Sequence, residues 1–383
     1  MVRKSSSMES FIKEDTKTIA LVSNNYWTLY KFRYDVINLF LNKGYKVILI
    51  AGKDSYERKF NQGNLVKYHI PIEARGVNPY TELKTFLKIY RIYKQTKVNL
   101  VLHFTIKPNI YGSLAARFLK IKSISFITGV GHIFINDNSF FTKFIKYLYK
   151  AALKDTLEVW FTNISDKKLF LKNKIINTKT IAKIVPGAGV VFKENVSKDK
   201  GNSKVNFIMV SRLLMIKGVL EYIMVAQKYN KDPDVIFTLI GAHNPKDIDS
   251  IDRKILDKAI KQGWIVYYDY QDNVTEHISK ASCLIHPSYR EGISTILIEA
   301  ASLYTPIITT TAPGCIDVIP DNSFGLLCEP RNLLSLERKV QDFLSMTNEE
   351  KHHMVDKAYN YVKSNFERQI ILRNYEGLDV YLN

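Results

Sequence analysis

The sequence predicts an α/β protein made of two doubly wound domains in tandem. Short apolar runs rich in β-branched residues alternate with helical patterns along most of the chain, as in parallel sheets covered by helices. The alternation breaks once, near residues 191–204, and then starts again. A length of 383 residues suits two domains, and a hydrophobic content of 46% is ample for two cores.

The first domain is predicted over residues 17–195. Residues 1–16 lack the apolar stretch of a signal peptide, so we interpret them as a disordered leader. Helical patterns lie between the first two predicted strands and after the third. The strands are expected at TIALVSN, KVILIAG, VKYHIPI, NLVLHFT, SISFITGV, LEVWFTN and TIAKIVPG.

The second domain is predicted over residues 196–383, after a polar linker, VFKENVSKDKGNSK. From about residue 333 the pattern is helical to the end. No apolar run reaches the roughly 18 residues that a membrane-spanning helix needs. The strands are expected at VNFIMVSRL, VIFTLIG, IVYYDYQ, SCLIHPS, TPIITTT and FGLLCEP. The three cysteines, Cys283, Cys315 and Cys328, have no metal-binding or redox spacing and are interpreted as reduced, buried thiols.

Positive charge is concentrated in the first half of the chain. Residues 1–190 contain 32 Lys and Arg against 12 Asp and Glu, whereas residues 191–383 contain 23 against 25. The whole net charge of +18 therefore comes from the first half. This asymmetry predicts an anionic neighbour for that half, and nucleic acid, an anionic membrane or a phosphorylated ligand would each fit.

Two cations follow the first strand of the second domain. Arg212 and Lys217 come after a strand that ends at Ser211, and a helix is predicted to begin near Lys217 and Gly218. Ligands of doubly wound sheets bind at the carboxyl ends of strands, and helix N-termini favour anions. The pair therefore suits an anion site, although two solvated surface charges would give the same pattern.

The segment REGISTILIEA, residues 290–300, contains two glutamates eight positions apart. Glu299 lies among apolar residues, about two helical turns after Glu291. The main-chain N–H groups of Gly292, Ile293 and Ser294 are expected to point free at the helix start, where they could bind hydroxyl or phosphate oxygens. Carboxylates accept two hydrogen bonds and suit vicinal hydroxyls, so two polyhydroxyl units could be held here.

These motifs together resemble the retaining GT-B glycosyltransferases that use nucleotide sugars. The Glu291-x7-Glu299 spacing lies about eighty residues after Arg212 and Lys217. Four further segments look like the branch that builds bacterial capsule, O-antigen and lipid-linked oligosaccharides: FTIKPNIYGSLAAR (104–117), ITGVGHIF (127–134), PGAGV (186–190) and HPSYREG (286–292). An isolated E-x7-E is weak evidence, but five segments in order on a double α/β chain are specific.

The resemblance implies a fold and a reaction. The fold would be two Rossmann-like domains facing a cleft, with C-terminal helices packing back and the last one crossing to the first domain. The reaction would transfer a hexose or N-acetylhexosamine, with retention, from a UDP-sugar.

The resemblance also implies a role for each candidate residue of the second domain. Arg212 and Lys217 would bind the donor diphosphate and stabilise the leaving nucleoside diphosphate. Glu291 would contact the donor sugar and Glu299 the ribose, aided by the backbone of residues 292–294. No metal or other cofactor would be needed, because fixed cations stabilise the charge on the leaving group.

The first domain would then bind the acceptor, a saccharide on a polyprenyl diphosphate. The loop after its first strand lacks the glycines of a dinucleotide-binding turn, which argues against NAD. His103 and His132, which are among the candidates, could equally be hydrogen-bonded structural histidines, and whether either moves a proton stays open. The candidate acceptor residues follow predicted strands or lie near their ends: Asn24, His103, Lys107, Gly129, Gly131 and His132.

Two predicted helices of the first domain carry basic stripes. The first stripe is Lys84, Lys88, Arg91 and Lys94, flanked by Phe86, Tyr90 and Tyr93, and the second is Lys143, Lys146, Lys150 and Lys154, flanked by Phe140, Phe141, Phe144, Tyr147 and Tyr149. Basic stripes beside aromatics suit helices lying on an anionic bilayer. We therefore expect a cytoplasmic protein held peripherally on the inner face of the membrane.

Several positions depart from the usual family pattern, and two rival functions stay open. Ile216, Val191 and Ser294 stand where Asp, Asp and Pro are frequent, which makes assignment of the donor by analogy less secure. A nucleotide-sugar 2-epimerase would share the fold, but it needs a set of carboxylates and histidines that is not evident. A nucleic-acid binder would share the charge, but no recognition motif supports it.

Overall fold

The computed structural model describes residues 16–72, 78–130, 140–193, 196, 204–247 and 249–382, without the side chains of Phe140 and Phe141. It confirms the predicted fold, with two parallel sheets, each covered by helices, and a helical C-terminus. Most of the predicted leader, part of the linker, and the candidates Gly131 and His132 lie outside the described residues.

Thirteen strands are present in the described part of the chain, and all of them pair in parallel. The first sheet contains β1 (Thr18–Asn25), β2 (Lys46–Gly52), β3 (Leu65–His69), β4 (Leu100–Phe104), β5 (Lys122–Ile127), β6 (Glu158–Phe161) and β7 (Ile181–Ile184). The second contains β8 (Val205–Val210), β9 (Val235–Ile240), β10 (Val266–Tyr268), β11 (Cys283–His286), β12 (Ile307–Thr310) and β13 (Leu326–Cys328).

Twelve α-helices are described. Those between or beside the strands of the first sheet are α1 (Tyr26–Asn42), α2 (Pro79–Thr96), α3 (Ser113–Phe118), α4 (Phe140–Ala152) and α5 (Ile164–Lys172). Those that follow are α6 (Val219–Lys228), α7 (Arg253–Lys261), α8 (Thr275–Lys280), α9 (Thr295–Ser302), α10 (Leu333–Ser345), α11 (Asn348–Phe366) and α12 (Arg368–Glu376).

The strand order places one crossover point in each sheet. The orders are β3-β2-β1-β4-β5-β6-β7 and β10-β9-β8-β11-β12-β13. In the first sheet the order reverses beside β1, and in the second beside β8. Ligands of such sheets bind outside the carboxyl ends of the strands at this point. The loops after β1 and β4, and those after β8 and β11, are therefore the ones that should carry the chemistry.

The central strands of both sheets are buried on two faces, which explains why they are continuously apolar. In β1, Ile19 and Leu21 pack into one core cluster, while Ala20 and Val22 pack into another on the opposite face. In the second domain the same division gives one cluster around Phe207 and another around residues of α9 and β11. A strand with two covered faces cannot alternate apolar and polar residues.

The last two helices pack on different domains. Ala358 and Val362 of α11 belong to a core cluster of the second domain. Ile371 and Tyr375 of α12 belong to a core cluster of the first, where the ring of Tyr375 lies 5.0 Å from that of Trp160. The chain thus returns to the first domain at Arg368, next to the segment at residue 190 by which it left. Within the described residues, no helix is both long enough and apolar enough to cross a bilayer.

Candidate functional site

Glu291 lies at the centre of a polar cluster where β11 meets α9. Its Oε1 accepts hydrogen bonds from Lys217 Nζ at 2.5 Å and from His286 Nε2 at 2.9 Å. His286 is the last residue of β11, and Lys217 ends a short 3-10 turn after β8. We call these three residues the Glu291 cluster. The two neighbouring strands therefore bring together charges that are 74 residues apart in the sequence.

The Glu291 cluster is largely shielded from solvent. The side chains of Lys217, Glu291 and His286 are 17%, 12% and 3% exposed. Burial alone would raise the pKa of the Glu291 carboxyl, but the charge of Lys217 and the hydrogen bond from His286 hold that pKa well below its usual value. Glu291 is therefore ionised throughout the physiological pH range and balances the buried Lys217 ammonium.

Glycine makes the approach of Lys217 to Glu291 possible. Gly218, directly after Lys217, has a φ of +74°, and a Cβ added there would lie 2.2 Å from the carbonyl oxygen of Pro287. Any other residue would push the 3-10 turn away from the loop after β11. As predicted, a helix begins here, since α6 starts at Val219.

The start of α9 is only partly free for a ligand. The N–H of Ser294 donates to the carbonyl oxygen of Gly314 at 3.0 Å, so the expectation that this group points free is wrong. Among the described residues, the N–H groups of Gly292 and Ile293 have no hydrogen-bond acceptor. The Oγ of Ser294 is also buried without a partner in this part of the chain. Two backbone donors and one hydroxyl are thus left at this helix start.

Arg212 and Glu299 lie outside the Glu291 cluster. Arg212 is exposed after β8, where its side chain has no partner among the described residues. Glu299 lies on α9, and burial raises the pKa of its carboxyl, although the charges of Arg368 and Lys31 act in the opposite direction. Both of these cations belong to helices of the first domain, α12 and α1. Glu299 therefore faces the domain interface.

The two domains meet at the backbone beside Glu291. The side-chain amide of Asn163 donates to the carbonyl oxygen of Gly292 at 2.5 Å, and Arg290 forms an ion pair with the buried Asp166. A Cβ on Gly292 would lie 1.9 Å from the carbonyl oxygen of Thr128. Gly129, with a φ of +136°, faces Gly292 in turn. Glycine on both sides lets the predicted acceptor loop touch the predicted donor loop directly.

Two other predicted acceptor residues lie at the carboxyl edge of the first sheet but are already bonded. Asn24 Oδ1 accepts a hydrogen bond from Thr105 Oγ1 at 2.8 Å. Lys107 Nζ pairs with Glu82 Oε1 at 2.5 Å, and both side chains are nearly buried. Lys107 would have to leave this ion pair before it could bind an acceptor phosphate.

His103 does not line the interface, which corrects the expectation that it contacts the acceptor. Its side chain is fully buried between Tyr93, whose hydroxyl lies 2.9 Å from Nε2, and Ser113, whose Oγ lies 3.1 Å from Nδ1. Burial lowers the pKa of His103 to about 3, so the ring is neutral. Although it is near the end of β4, its side chain points into the core beneath α2 and α3.

The basic stripes lie on exposed helix surfaces, which we call the basic face. Lys84, Lys88, Arg91 and Lys94 are exposed on α2, as are Lys143 and Lys150 on α4 and Lys154 beyond it. The aromatics expected to flank them partly face inward, since Tyr93 and Tyr149 are buried. Phe144 and Tyr147 are exposed on α4, as expected, whereas the exposed apolar residues of α2 are Tyr80, Leu83 and Leu87.

Sequence reasoning missed three residues of the site, His286, Asn163 and Asp166. His286 could have been predicted from its position, because it ends a strand at the same edge of the sheet as Arg212 and precedes Glu291 by five residues. Asp166 gave no such signal, since its pairing with Arg290 depends on how the domains face each other. No group of three or more His, Cys, Asp or Glu side chains in the described residues is arranged to hold a metal ion.

Two family profiles match the chain, one in each domain. Residues 192–361 match "Glycosyl transferases group 1" and residues 18–163 match "Glycosyl transferase 4-like". Among solved structures, sucrose-phosphate synthase from Thermosynechococcus elongatus superposes with a TM-score of 0.77 at 16% identity, over 96% of this chain and 99% of that one. This likeness concerns the fold alone.

Curated relatives align over most of both chains. One is the N,N'-diacetylbacillosaminyl-diphospho-undecaprenol alpha-1,3-N-acetylgalactosaminyltransferase of Campylobacter jejuni, 24% identical over 84% of this chain and 88% of the relative. Another is the capsular polysaccharide biosynthesis glycosyltransferase CapM of Staphylococcus aureus, 24% identical over 88% of this chain and 91% of the relative. The C-terminal domain thus matches the group 1 glycosyltransferases, the N-terminal domain matches a second glycosyltransferase profile, and the chain as a whole has the GT-B fold.

Proposed function

We propose that the protein is a retaining glycosyltransferase that moves a hexose or N-acetylhexosamine from a UDP-sugar to a saccharide linked to polyprenyl diphosphate. The product would enter capsule, O-antigen or a related surface glycan. The observation that carries this proposal is the Glu291 cluster, in which an ionised carboxylate and an ammonium group lie together at the crossover point of the second sheet. A donor sugar with a diphosphate needs both kinds of group.

The donor would bind along the loops after β8 and β11. Glu291 has a second carboxylate oxygen besides the one bonded to Lys217 and His286, and it would accept hydrogen bonds from the sugar hydroxyls. Lys217 and the exposed Arg212 would face the diphosphate. Glu299 would hold the ribose, and the N–H groups of Gly292 and Ile293 would bind oxygens of the diphosphate or sugar.

The chemistry would rest on charge that develops in the transition state. The sugar becomes oxocarbenium-like as its bond to the diphosphate breaks, and negative charge grows on the departing UDP. Lys217 is held in place by Glu291 before reaction, so it stabilises that charge without reorganisation. With Arg212 as a second cation, we expect turnover to be metal-independent and to persist in excess EDTA.

The acceptor would reach the site from the first domain. The relative from Campylobacter jejuni bears a name that specifies a diphospho-undecaprenol acceptor, and the same carrier chemistry is proposed here. Asn24 and Gly129 would contact the acceptor, together with Gly131 and His132 of the same loop. Lys107 would bind the acceptor diphosphate if its ion pair with Glu82 opens.

The basic face would hold the enzyme on the cytoplasmic surface of an anionic membrane, peripherally and reversibly. Its lysines are exposed, and apolar side chains such as Leu83 and Tyr147 lie among them at 56% and 69% exposure. Each cation near such a surface contributes on the order of 1 kcal/mol, so a few are enough. This position would present the protein to a lipid-linked acceptor.

The proposal is tested by a donor screen. The purified chain is mixed with a panel of UDP- and GDP-sugars and a short polyprenyl-diphosphate-linked N-acetylglucosamine, and release of nucleoside diphosphate is followed. Release that requires both donor and acceptor is the expected result, and it names the donor. Release without acceptor would support hydrolysis or the elimination step of a 2-epimerase instead. Retention is then read from the anomeric configuration of the product by NMR.

A further inference from the structure

The loop that carries Glu291 is held from the other domain at two points. Arg290, directly before Glu291, pairs with Asp166, and the carbonyl of Gly292, directly after it, accepts from Asn163. Asn163 and Asp166 both belong to the start of α5 in the first domain. The start of α5 therefore contacts the residues on both sides of Glu291, whose carboxylate is proposed to bind the donor sugar.

The start of α5 is itself rigid. The side chain of Asn163 caps the helix by accepting from the N–H of Asp166 at 2.7 Å, while its amide group donates to Gly292. Asn163 and Asp166 are fully buried. A side chain that is fixed inside its own domain can transmit the position of that domain to the loop it touches.

The ion pair is poorly suited to stability alone. Asp166 is completely buried, yet its Oδ2 has no partner among the described residues, and the same is true of Arg290 Nε. Burial raises the pKa of the Asp166 carboxyl, although the charge of Arg290 opposes this rise. Buried ion pairs with unsatisfied atoms are often no more stable than apolar residues, so a role in orientation accounts better for this one.

We propose that Asp166 and Asn163 are positioning residues, which hold the Arg290–Gly292 segment, and with it the Glu291 carboxylate, in the orientation set by the facing domains. This inference rests on the proposed function for its catalytic consequence. The contacts with Arg290 and Gly292 exist only while the domains face each other as they do here. The loop that would bind the donor sugar is therefore complete only when the acceptor domain is in place.

A second ion pair between the domains provides a matched control. Lys31 on α1 pairs with Asp272 at 2.7 Å, but the Lys31 side chain is partly exposed, at 27%, and that of Asp272 is exposed, at 66%. Asp272 lies in the loop between β10 and α8 and has no contact with the Glu291 loop. Replacing Asp272 with Asn therefore removes an interdomain ion pair without changing any contact of the Arg290–Gly292 segment.

The test compares Asp166→Asn, Arg290→Gln, the double variant and Asp272→Asn. For the first two we expect kcat to fall by about 30-fold while the affinity for UDP changes by less than about threefold. The double variant should be no worse than the poorer single one, since residues that act as a unit are not additive. Asp272→Asn should retain kcat within about threefold. Arg290 is partly exposed, so Arg290→Gln keeps the test open if Asp166→Asn does not fold.

A distance measurement separates this inference from the proposed function. The three native cysteines are buried, so spin labels can be placed at Lys172→Cys and Lys261→Cys, two exposed positions on opposite domains. Arg290→Gln should broaden or lengthen the distance distribution, and Asp272→Asn should not. If the wild-type chain transfers no sugar, the proposed function fails and the label distances alone decide the positioning role. Unchanged distances, or a kcat within threefold of wild type, would overturn it.

Discussion

The Glu291 cluster and the basic face use the same kind of charge in opposite ways. Lys217 is nearly buried and bonded to a carboxylate at 2.5 Å, whereas Lys84 and Lys88 are exposed without an acidic partner in the described part of the chain. A buried, bonded charge is weakly screened, so it acts strongly on a charge placed next to it. Exposed charges act through their sum and are screened by salt. The first suits chemistry and the second suits docking.

The sharpest way to break the cluster is Glu291→Gln. Glutamine keeps the shape of the side chain but leaves the Lys217 ammonium without its counter-charge. We expect kcat to fall by about 10³-fold, in steady-state assays with donor and lipid acceptor, while the far-UV circular dichroism is unchanged. A variant that turns over within a few-fold of wild type would remove Glu291 from the site.

Removing the cation from the same pair should have a smaller effect. Lys217→Ala leaves Glu291 with His286 and takes away one of two cations proposed for the leaving diphosphate. A fall of about 10² in kcat is expected, with weaker binding of UDP in calorimetric titration. Arg338→Ala, which removes a cation of α10, serves as the control. If Lys217→Ala and the control behave alike, the diphosphate assignment is wrong.

On the basic face, no single lysine should decide membrane binding, but the summed charge of several lysines should. Replacing Lys143, Lys146 and Lys150 with Gln removes three charges from α4. We expect partitioning onto liposomes with anionic lipid to fall by about tenfold or more at low salt, because each charge contributes on the order of 1 kcal/mol. Transfer to a short, water-soluble acceptor should be unaffected. Equal partitioning of the variant and wild type at low salt would contradict the docking proposal.

The smallest expected effect concerns Glu299. Its carboxyl is largely buried, and it would accept hydrogen bonds from the ribose only when the donor is bound. Because burial raises its pKa, the folded protein binds a proton there more tightly than the unfolded chain does. Acidification from about pH 7 to about pH 5 should therefore favour wild type over Glu299→Gln, by about 1 to 2 °C in Tm. A Tm difference that stays constant or changes in the other direction would show that Glu299 is not buried in solution.

The sequence predicts elements well where one face or both faces must be apolar. The runs TIALVSN and SCLIHPS form β1 and β11, because a strand that is buried on both faces must consist mainly of apolar residues. The ends of strands are harder, since a residue there points either to the interface or into a core. His103 and His286 both occupy such ends, and only the second reaches the site. Tyr93 and Ser113, which enclose His103, come from α2 and α3, and nothing in the local pattern indicates that pairing.

Contacts between domains were beyond prediction for a different reason. The spacing of Glu291 and Glu299 is local and can be converted to helical turns. The pairing of Arg290 with Asp166 depends on the relative orientation of two rigid bodies, which local spacing does not encode. Lys217 illustrates the intermediate case, because its role as a cation was predicted but its hydrogen bond to Glu291 was not.

The return of α12 to the first domain has a consequence for biosynthesis. Ile371, Tyr375, Leu378 and Leu382 complete a core whose other buried members all come from the first half of the chain. A ribosome that has made only the first domain's strands has therefore produced an incomplete hydrophobic core, which stays open until α12 and the residues after it have been made. The second domain can fold earlier, although its strands are made later. Truncation of the last sixteen or so residues should thus impair the N-terminal half of the molecule, and a synthetic peptide covering α12 should restore it in trans.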